Sequence, residues 1–203
     1  MVHPATQTRL PIDTPRRRSR PVARRQDVAR QRDGMVDPER WLVVLRITVG
    51  AWFLKAVVTK LAIIWWAALV PLPIVSPRFL GVHARRVAEF AAGNPLPWYR
   101  DFLQDVVLPH ASTFATLQVI GEVVVGLGLV LGLLTVPAAL VGLVLSLGFG
   151  LATQWMSAGQ QGFHLLLVVA MLVLAASRAG RRLGVDAWLR ARWPHARIFS
   201  LLA

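Results

Sequence analysis

ITVGAWFLKAVVTKLAIIWWAALV (Ile47 to Val70) and TFATLQVIGEVVVGLGLVLGLL (Thr113 to Leu134) are the two stretches that decide the fold of this chain. Each is long enough to cross a bilayer core, which takes about 20 residues of α-helix. Each also carries a charge deep in an apolar run, Lys60 in the first and Glu122 in the second. A charge at mid-membrane costs at least ~2.5–3.5 kcal/mol on insertion scales, so it faces protein and takes a partner. Each of these residues is the obvious partner of the other. Arg46, Gly50, Phe53, Val57 and Lys60 fall on one helix face at about 100° per residue. If Arg46 marks the cytoplasmic interface, Lys60 stands roughly 21 Å deeper, and Glu122 on an antiparallel helix stands roughly 18 Å from Leu134 at the same side. The two depths agree to within a turn. Gln118 and Gly126, one turn either side of Glu122, extend a semi-polar face.

The composition agrees with this reading. Hydrophobic residues make up 55% of the 203 residues and the mean hydropathy is +0.53, values that belong to a polytopic all-α integral membrane protein rather than a soluble domain. The chain has no cysteine, which removes disulfides, thiol redox chemistry, Cys-ligated zinc and iron–sulfur clusters. A net charge of +13 would point to nucleic acid in a soluble protein. In a membrane protein it is explained by Arg-rich cytoplasmic segments, and no nucleic-acid partner is expected.

Four spanning helices are expected. The first runs from Trp41 or Arg46 to Val70, where Pro71 and Pro73 end it. The second runs from Ser112 to Leu134. Thr135, Val136 and Pro137 turn the chain into the third, with proline at a helix start, and the third reaches Trp155. A short polar loop, Met156 to Gly162, precedes the fourth, Phe163 to Ser177. Residues 1–40 read as a basic, disordered cytoplasmic segment with ten arginines, five acids and no apolar signal-peptide region. Residues 41–180 form the membrane domain and 181–203 an amphipathic cytoplasmic tail. The N-terminal arginines and the six from Arg178 onward place both termini in the cytoplasm of a multi-pass cell (inner) membrane protein.

The outer loop, 72–111, holds two interfacial helices. One covers Arg78–Ala92. The other starts at Pro97, ends at Pro109, and carries an apolar stripe of Trp98, Phe102 and Val106 at i, i+4, i+8. Small residues recur on the second and third helices: Gly121, Gly128 and Gly132, then Ala138, Gly142, Ser146 and Gly150. They suit close packing inside the bundle, or the seam of a homo-oligomer. Lys55 lies ~140° from Lys60 and snorkels or meets a neighbouring subunit. A bis-His haem needs two histidines facing each other inside the bundle; only His110 and His164 come close, and both sit near outer helix ends, so neither metal nor haem is expected. No nucleotide-binding glycine motif, HExxH or Ser/His/Asp arrangement occurs.

Three stretches resemble the DoxX/DoxD family of small four-helix membrane proteins. They are Leu45, Arg46, Gly50, Phe53, Lys60 and Leu61 of the first helix, then Asn94 to Thr135 with NPLPWYRDFL and IGE…GLGLVLGLLT, and finally AGRRLGVDAWL, Ala179 to Leu189. The resemblance is nearest to the small subunit of thiosulfate:quinone oxidoreductase. It implies a membrane subunit that handles electrons or quinone beside a partner. A polar pocket follows as an expectation: Glu122 and Lys60 as the acid–base pair, with Gln118, Arg46, Trp98 and Tyr99 around a quinone head group. A non-catalytic scaffold or accessory subunit of a larger membrane complex is the other reading, since a bundle without metal ligands or thiols has no means of multi-electron redox chemistry alone. Either way its partners are the lipid bilayer and other membrane or soluble subunits.

Overall fold

The computed structural model describes residues 38–66, 70–181 and 183–192. The expected basic segment before Pro38 and the last residues of the tail lie outside this set. The described part is a helical membrane bundle. Its helices are α1 (Pro38–Val58), α2 (Pro77–Gly93), α3 (Pro97–Phe102), α4 (Ala111–Leu131), α5 (Thr135–Thr153), α6 (Ala158–Ser177) and α7 (Val185–Arg192). Among the described residues four stretches are long and apolar enough to cross a membrane: Glu39–Val58, Pro97–Leu131, Thr135–Thr153 and Ala158–Ser177.

The first helix ends twelve residues earlier than expected, at Val58 instead of Val70. The apolar run continues as a hairpin of β1 (Leu61–Trp66) and β2 (Val70–Val75), with Leu61 opposite Val75 and Ile63 opposite Pro73. The sequence LAIIWW is rich in the β-branched and aromatic residues that fit a pleated surface. The Thr59 hydroxyl donates back to the Ala56 carbonyl at 2.8 Å, and the Ser76 N–H donates to the Lys60 carbonyl at 2.9 Å. In that register Ser76, Ile74 and Leu72 turn their N–H groups toward β1. Pro71 and Pro73 therefore turn their missing donors to the free edge, where proline is tolerated.

The helix ends follow local chemistry. Gly132 closes α4 in the left-handed conformation at φ 65°, as helix C-termini commonly do. A Cβ there would fall 2.2 Å from the Arg46 guanidinium. Ser157 caps α6 by accepting from the Gln160 N–H at 3.2 Å, so the helix starts inside the expected polar loop. The ends of α4 and α5 and the C-terminal end of α6 fall within three residues of those expected. The small-residue stripes pack within the chain, Gly128 against Ala138 and Gly142 against Met171.

Two apolar clusters hold the bundle. One joins Phe53, Val125, Leu129, Ala139, Met171 and Leu174 of α1, α4, α5 and α6. The other joins Val87, Ala91, Tyr99, Leu103, Val107 and Ala152, tying α2 and α3 to α5. Outside them runs an exposed apolar belt that includes Leu117, Val124, Leu140, Leu147, Leu166 and Val173, the surface a bilayer covers.

Candidate functional site

The second cluster fixes the outer-loop segment. After α3 the chain passes through a π-helical turn (Leu103–Val107) and a 3-10 turn (Leu108–His110) before α4. Pro109 lies inside that 3-10 turn, the backbone leaves helical geometry at His110 (φ −119°, ψ 31°), and the rings of Phe102 and Phe114 come within 6.4 Å. Asn94 is buried and donates from its amide to the Leu151 carbonyl at 2.9 Å, while its oxygen accepts from the Leu96 N–H at 3.0 Å. The Tyr99 hydroxyl donates to the Gly148 carbonyl at 2.8 Å. The NPLPWY stretch is thus a pair of ties onto α5. The face turned inward is Tyr99, Leu103 and Val107. The expected stripe of Trp98, Phe102 and Val106 has the right spacing but is shifted by one residue, and all three are exposed. Trp98 packs edge-on against Tyr99 with ring centroids 5.3 Å apart.

α2, α3 with its π turn, α4 and α5 line a partly open cavity of about 550 Å³. Phe79, Phe90, Tyr99, Phe114 and Phe149 supply aromatic wall, and His83 and Gln118 are among its few polar groups. Directly beneath Gln118 is a polar chain. The Gln118 amide N–H donates to Glu122 at 2.9 Å, and the Lys60 ammonium donates to both Glu122 carboxylate oxygens. The Glu122 side chain is 3% exposed and that of Lys60 15%, so each charge has little water and depends on the other. Glu122 stands nine residues from Leu131 and eleven from Ala111, or ~13 Å and ~16 Å from the two ends of α4. The Phe79 ring also faces the ammonium, at 5.3 Å from its centroid.

Lys60, Glu122 and Gln118 come together, although Lys60 reaches Glu122 from the turn after α1 and not from within a longer helix. Tyr99 and Gln118 line the cavity. Trp98 lies on the outside of the segment and lines nothing there. Arg46 is not in this cluster. It is 1% exposed at the opposite end of α1, where it donates to the Ala179 carbonyl at 3.2 Å and the Leu183 carbonyl at 2.8 Å. The Asp186 carboxylate completes that end by accepting from the Leu134 N–H (2.7 Å), the Thr135 N–H (2.9 Å) and the Thr135 hydroxyl (2.8 Å). The LGVDAW stretch (Leu183–Trp188) is a clasp that closes the turn between α4 and α5. Lys55 is exposed with its ammonium 5.2 Å from the centre of the Trp52 ring.

Sequence reasoning missed His83. It lies half-buried on α2 with its Nδ1 buried and without a hydrogen-bond partner. Burial holds its imidazole below the ordinary value; Gln118, within hydrogen-bonding reach, favours the protonated ring, and the Lys60 charge disfavours it. The signal available in the sequence was its place among Phe79, Val82, Val87 and Phe90 on an amphipathic helix.

Tyr99→Phe tests the tie to α5. It removes one hydrogen bond to a carbonyl, so stability in detergent is expected to fall by ~1 kcal/mol. A thermal unfolding midpoint identical to wild type would show the tie to be energetically idle.

No curated protein and no solved structure matches the chain. A family model described as "TQO small subunit DoxD" matches residues 41–201. That span includes all but the first two residues of the four membrane-crossing stretches, the Lys60–Glu122 pair and the clasp. The chain belongs to the DoxD family.

Proposed function

We propose that this chain is the membrane subunit of a quinone-linked oxidoreductase and that the cavity above Gln118 holds the quinone ring. The observation that carries the reading is the cavity itself, mostly aromatic and apolar with a few converging polar groups, of a size that suits a small organic ligand. A quinone supplies a two-electron, two-proton acceptor, the electrons coming from the donor oxidised by a partner subunit. The residues fit such a ring: aromatic walls to hold it flat, Tyr99 at one side, and Gln118 and His83 to meet its oxygens. Lys60 and Glu122 lie behind Gln118. They hold its amide in one orientation and keep a mobile proton beside the cavity floor. Arg46 and Trp98 have no part in this reading. The competing reading, an accessory subunit without chemistry, is favoured by one observation: Lys60, Glu122 and Gln118 satisfy one another.

Gly148→Leu separates the two. A Cβ at Gly148 would meet nothing nearer than the Tyr99 hydroxyl at 3.9 Å, so the larger side chain fills the cavity without pushing on the backbone. The purified complex carrying it is expected to assemble normally, to contain less than about a tenth of the wild-type quinone, and to lose quinone reduction to the same extent. Unchanged quinone content and turnover would leave the accessory reading standing.

The same proposal sets both termini in the cytoplasm and the segment bearing Trp98 outside, on the arginine distribution. Because the chain has no cysteine, single cysteines at Ser19 and Gln104 report topology cleanly. Gln104→Cys is expected to react with a membrane-impermeant maleimide in intact cells, and Ser19→Cys only after lysis. The reverse pattern would invert the topology.

A further inference from the structure

We propose that the cavity is filled from within the bilayer, through a side mouth between α4 and α5, and takes a head group carried on a long apolar tail. This rests on the reading of the cavity as a quinone site and adds to it the route, the tail and the residues that touch the tail. The mouth is marked by side chains that line the cavity and are also open to the surroundings. Leu117 of α4 is 56% exposed, Val144 of α5 68% and Phe102 of α3 40%, and all three line the cavity. The seam between α4 and α5 is fixed by Gly121, where a Cβ would meet Leu145 at 3.1 Å and Val141 at 3.6 Å. At about 100° per residue, Leu117 stands ~40° from Gly121 and Val144 ~40° from Gly148, on the same side of that seam. Gln118 and Phe149 stand on its other side, so the cavity passes through the seam from a polar inner end to an apolar outer one. The contact at Gly121 closes the mouth on the side nearer Arg46. One turn beyond Leu145, α5 presents Gly148, whose Cβ would meet nothing nearer than the Tyr99 hydroxyl at 3.9 Å, and the helices leave a gap. α3 closes the far side: Tyr99 is tied to the Gly148 carbonyl, and the Phe102 ring is 5.8 Å from that of Tyr99 and 6.4 Å from that of Phe114 on α4. From Gly121 to Phe114 the gap is ~10 Å high.

The mouth lies deep in the membrane. Val144 stands nine residues from each end of α5, or ~13 Å, and α5 is one of the membrane-crossing stretches. Its rim of Leu117, Val144 and Phe102 is apolar and runs on into the exposed belt at Val124, Leu140 and Leu147. A ligand dissolved in water reaches such an opening only after passing the headgroups and part of the hydrocarbon. A ligand dissolved in lipid is already beside it. Its polar head finds partners only on the inner side of the seam, at Gln118 and His83. The tail follows and comes to rest over Leu117 and Val144 with its far end in lipid. Lipid chains are as apolar as leucine, so the tail gains little affinity from these contacts; it keeps the head at the depth of the mouth. The rival route runs past Arg86 of α2, which also lines the cavity and is exposed, with its guanidinium 3.3 Å from Glu89.

The test uses full-length protein in nanodiscs and a fully substituted benzoquinone on an isoprenoid tail, with a photoreactive diazirine on the isoprene next to the ring. Light is expected to attach this probe to the peptides containing Leu117 and Val144. An excess of the same quinone without a tail competes for the head-group site and should remove that label, while label on the lipid-facing surface at Leu166 persists. A double variant, Leu117→Phe with Val144→Phe, narrows the mouth and should slow release of the tritiated tailed quinone into empty vesicles by about tenfold, as side chains in the passage have to shift. Leu166→Phe, a change at an equally lipid-facing position on α6 (71% exposed), should release at the wild-type rate. Two results would overturn the side mouth and leave the quinone site intact. One is saturable binding in which the removable label falls at Arg86, or anywhere other than Leu117 and Val144. The other is a folded double variant that releases quinone at the wild-type rate. No saturable binding of either quinone to folded wild type would overturn the quinone site and this inference together.

Discussion

Glu122→Gln is expected to destabilise the bundle by about 3–5 kcal/mol, the usual loss when one partner of a buried ion pair is removed. The ammonium of Lys60 would remain, its side chain 15% exposed, with little water and a neutral amide in place of a carboxylate. Gln118 would lose the charged acceptor of its 2.9 Å bond. The Lys60→Met, Glu122→Leu double variant is expected to recover most of the loss, since well-packed apolar residues replace buried pairs at little cost or even a gain. Unfolding in mixed micelles, wild type against the two single variants and the double, measures this directly. Three variants of equal stability would mean that the pair is not coupled. Comparing the quinone content of the double variant with its stability then separates the two roles. A stable double variant without quinone assigns the polar chain to the ligand. A stable double variant with normal quinone assigns it to helix register alone.

Asp186→Ala should be nearly as damaging, at about 3–5 kcal/mol. The carboxylate accepts three hydrogen bonds at 2.7–2.9 Å at the start of α5, fifty-one residues before it in sequence. It does the work of an N-cap from a distance and sits where the helix dipole favours negative charge. It also supplies the negative charge that faces the buried Arg46. Leu134 is held there at φ 48°, a left-handed conformation that a leucine adopts only under constraint, and Asp186 bonds its N–H. Asp186→Asn keeps one acceptor oxygen and should lose about half as much. The check is the thermal midpoint together with the protease sensitivity of the tail. Resistance equal to wild type in Asp186→Ala would show that Arg46 alone holds the clasp.

Four spanning segments were legible because length and apolarity are what a bilayer selects, and the Lys60–Glu122 pair because a charge in such a segment needs a partner. Other features were hidden for physical reasons. A run such as LAIIWW reads equally as buried helix or strand, and only its β-branched and aromatic content, followed by prolines at alternate positions, points to a hairpin. The stripe on the Pro97 segment was placed one residue off because both sides of that segment are apolar. Periodicity then does not distinguish protein from lipid, whereas the polar hydroxyl of Tyr99 does. Arg46 read as an interface marker because its partners are main-chain carbonyls, which leave no trace in side-chain sequence. His83 escaped notice because its interest lies in a missing bond, a property of the folded surroundings alone.

The clasp also imposes an order on biogenesis. Arg46 enters the membrane with the first helix, yet its acceptors at Ala179 and Leu183 lie 133 and 137 residues later. At the usual ~5–20 residues per second of synthesis, the guanidinium waits on the order of ten seconds before they exist. During that interval the growing chain carries an unmatched charge in its first span. Until then the guanidinium has to reach water or lipid headgroups at the membrane face, as a long arginine side chain near a helix end does, and a chain truncated before Ala179 keeps it there. Burial of Arg46 is in this sense an event that only the finished chain can reach.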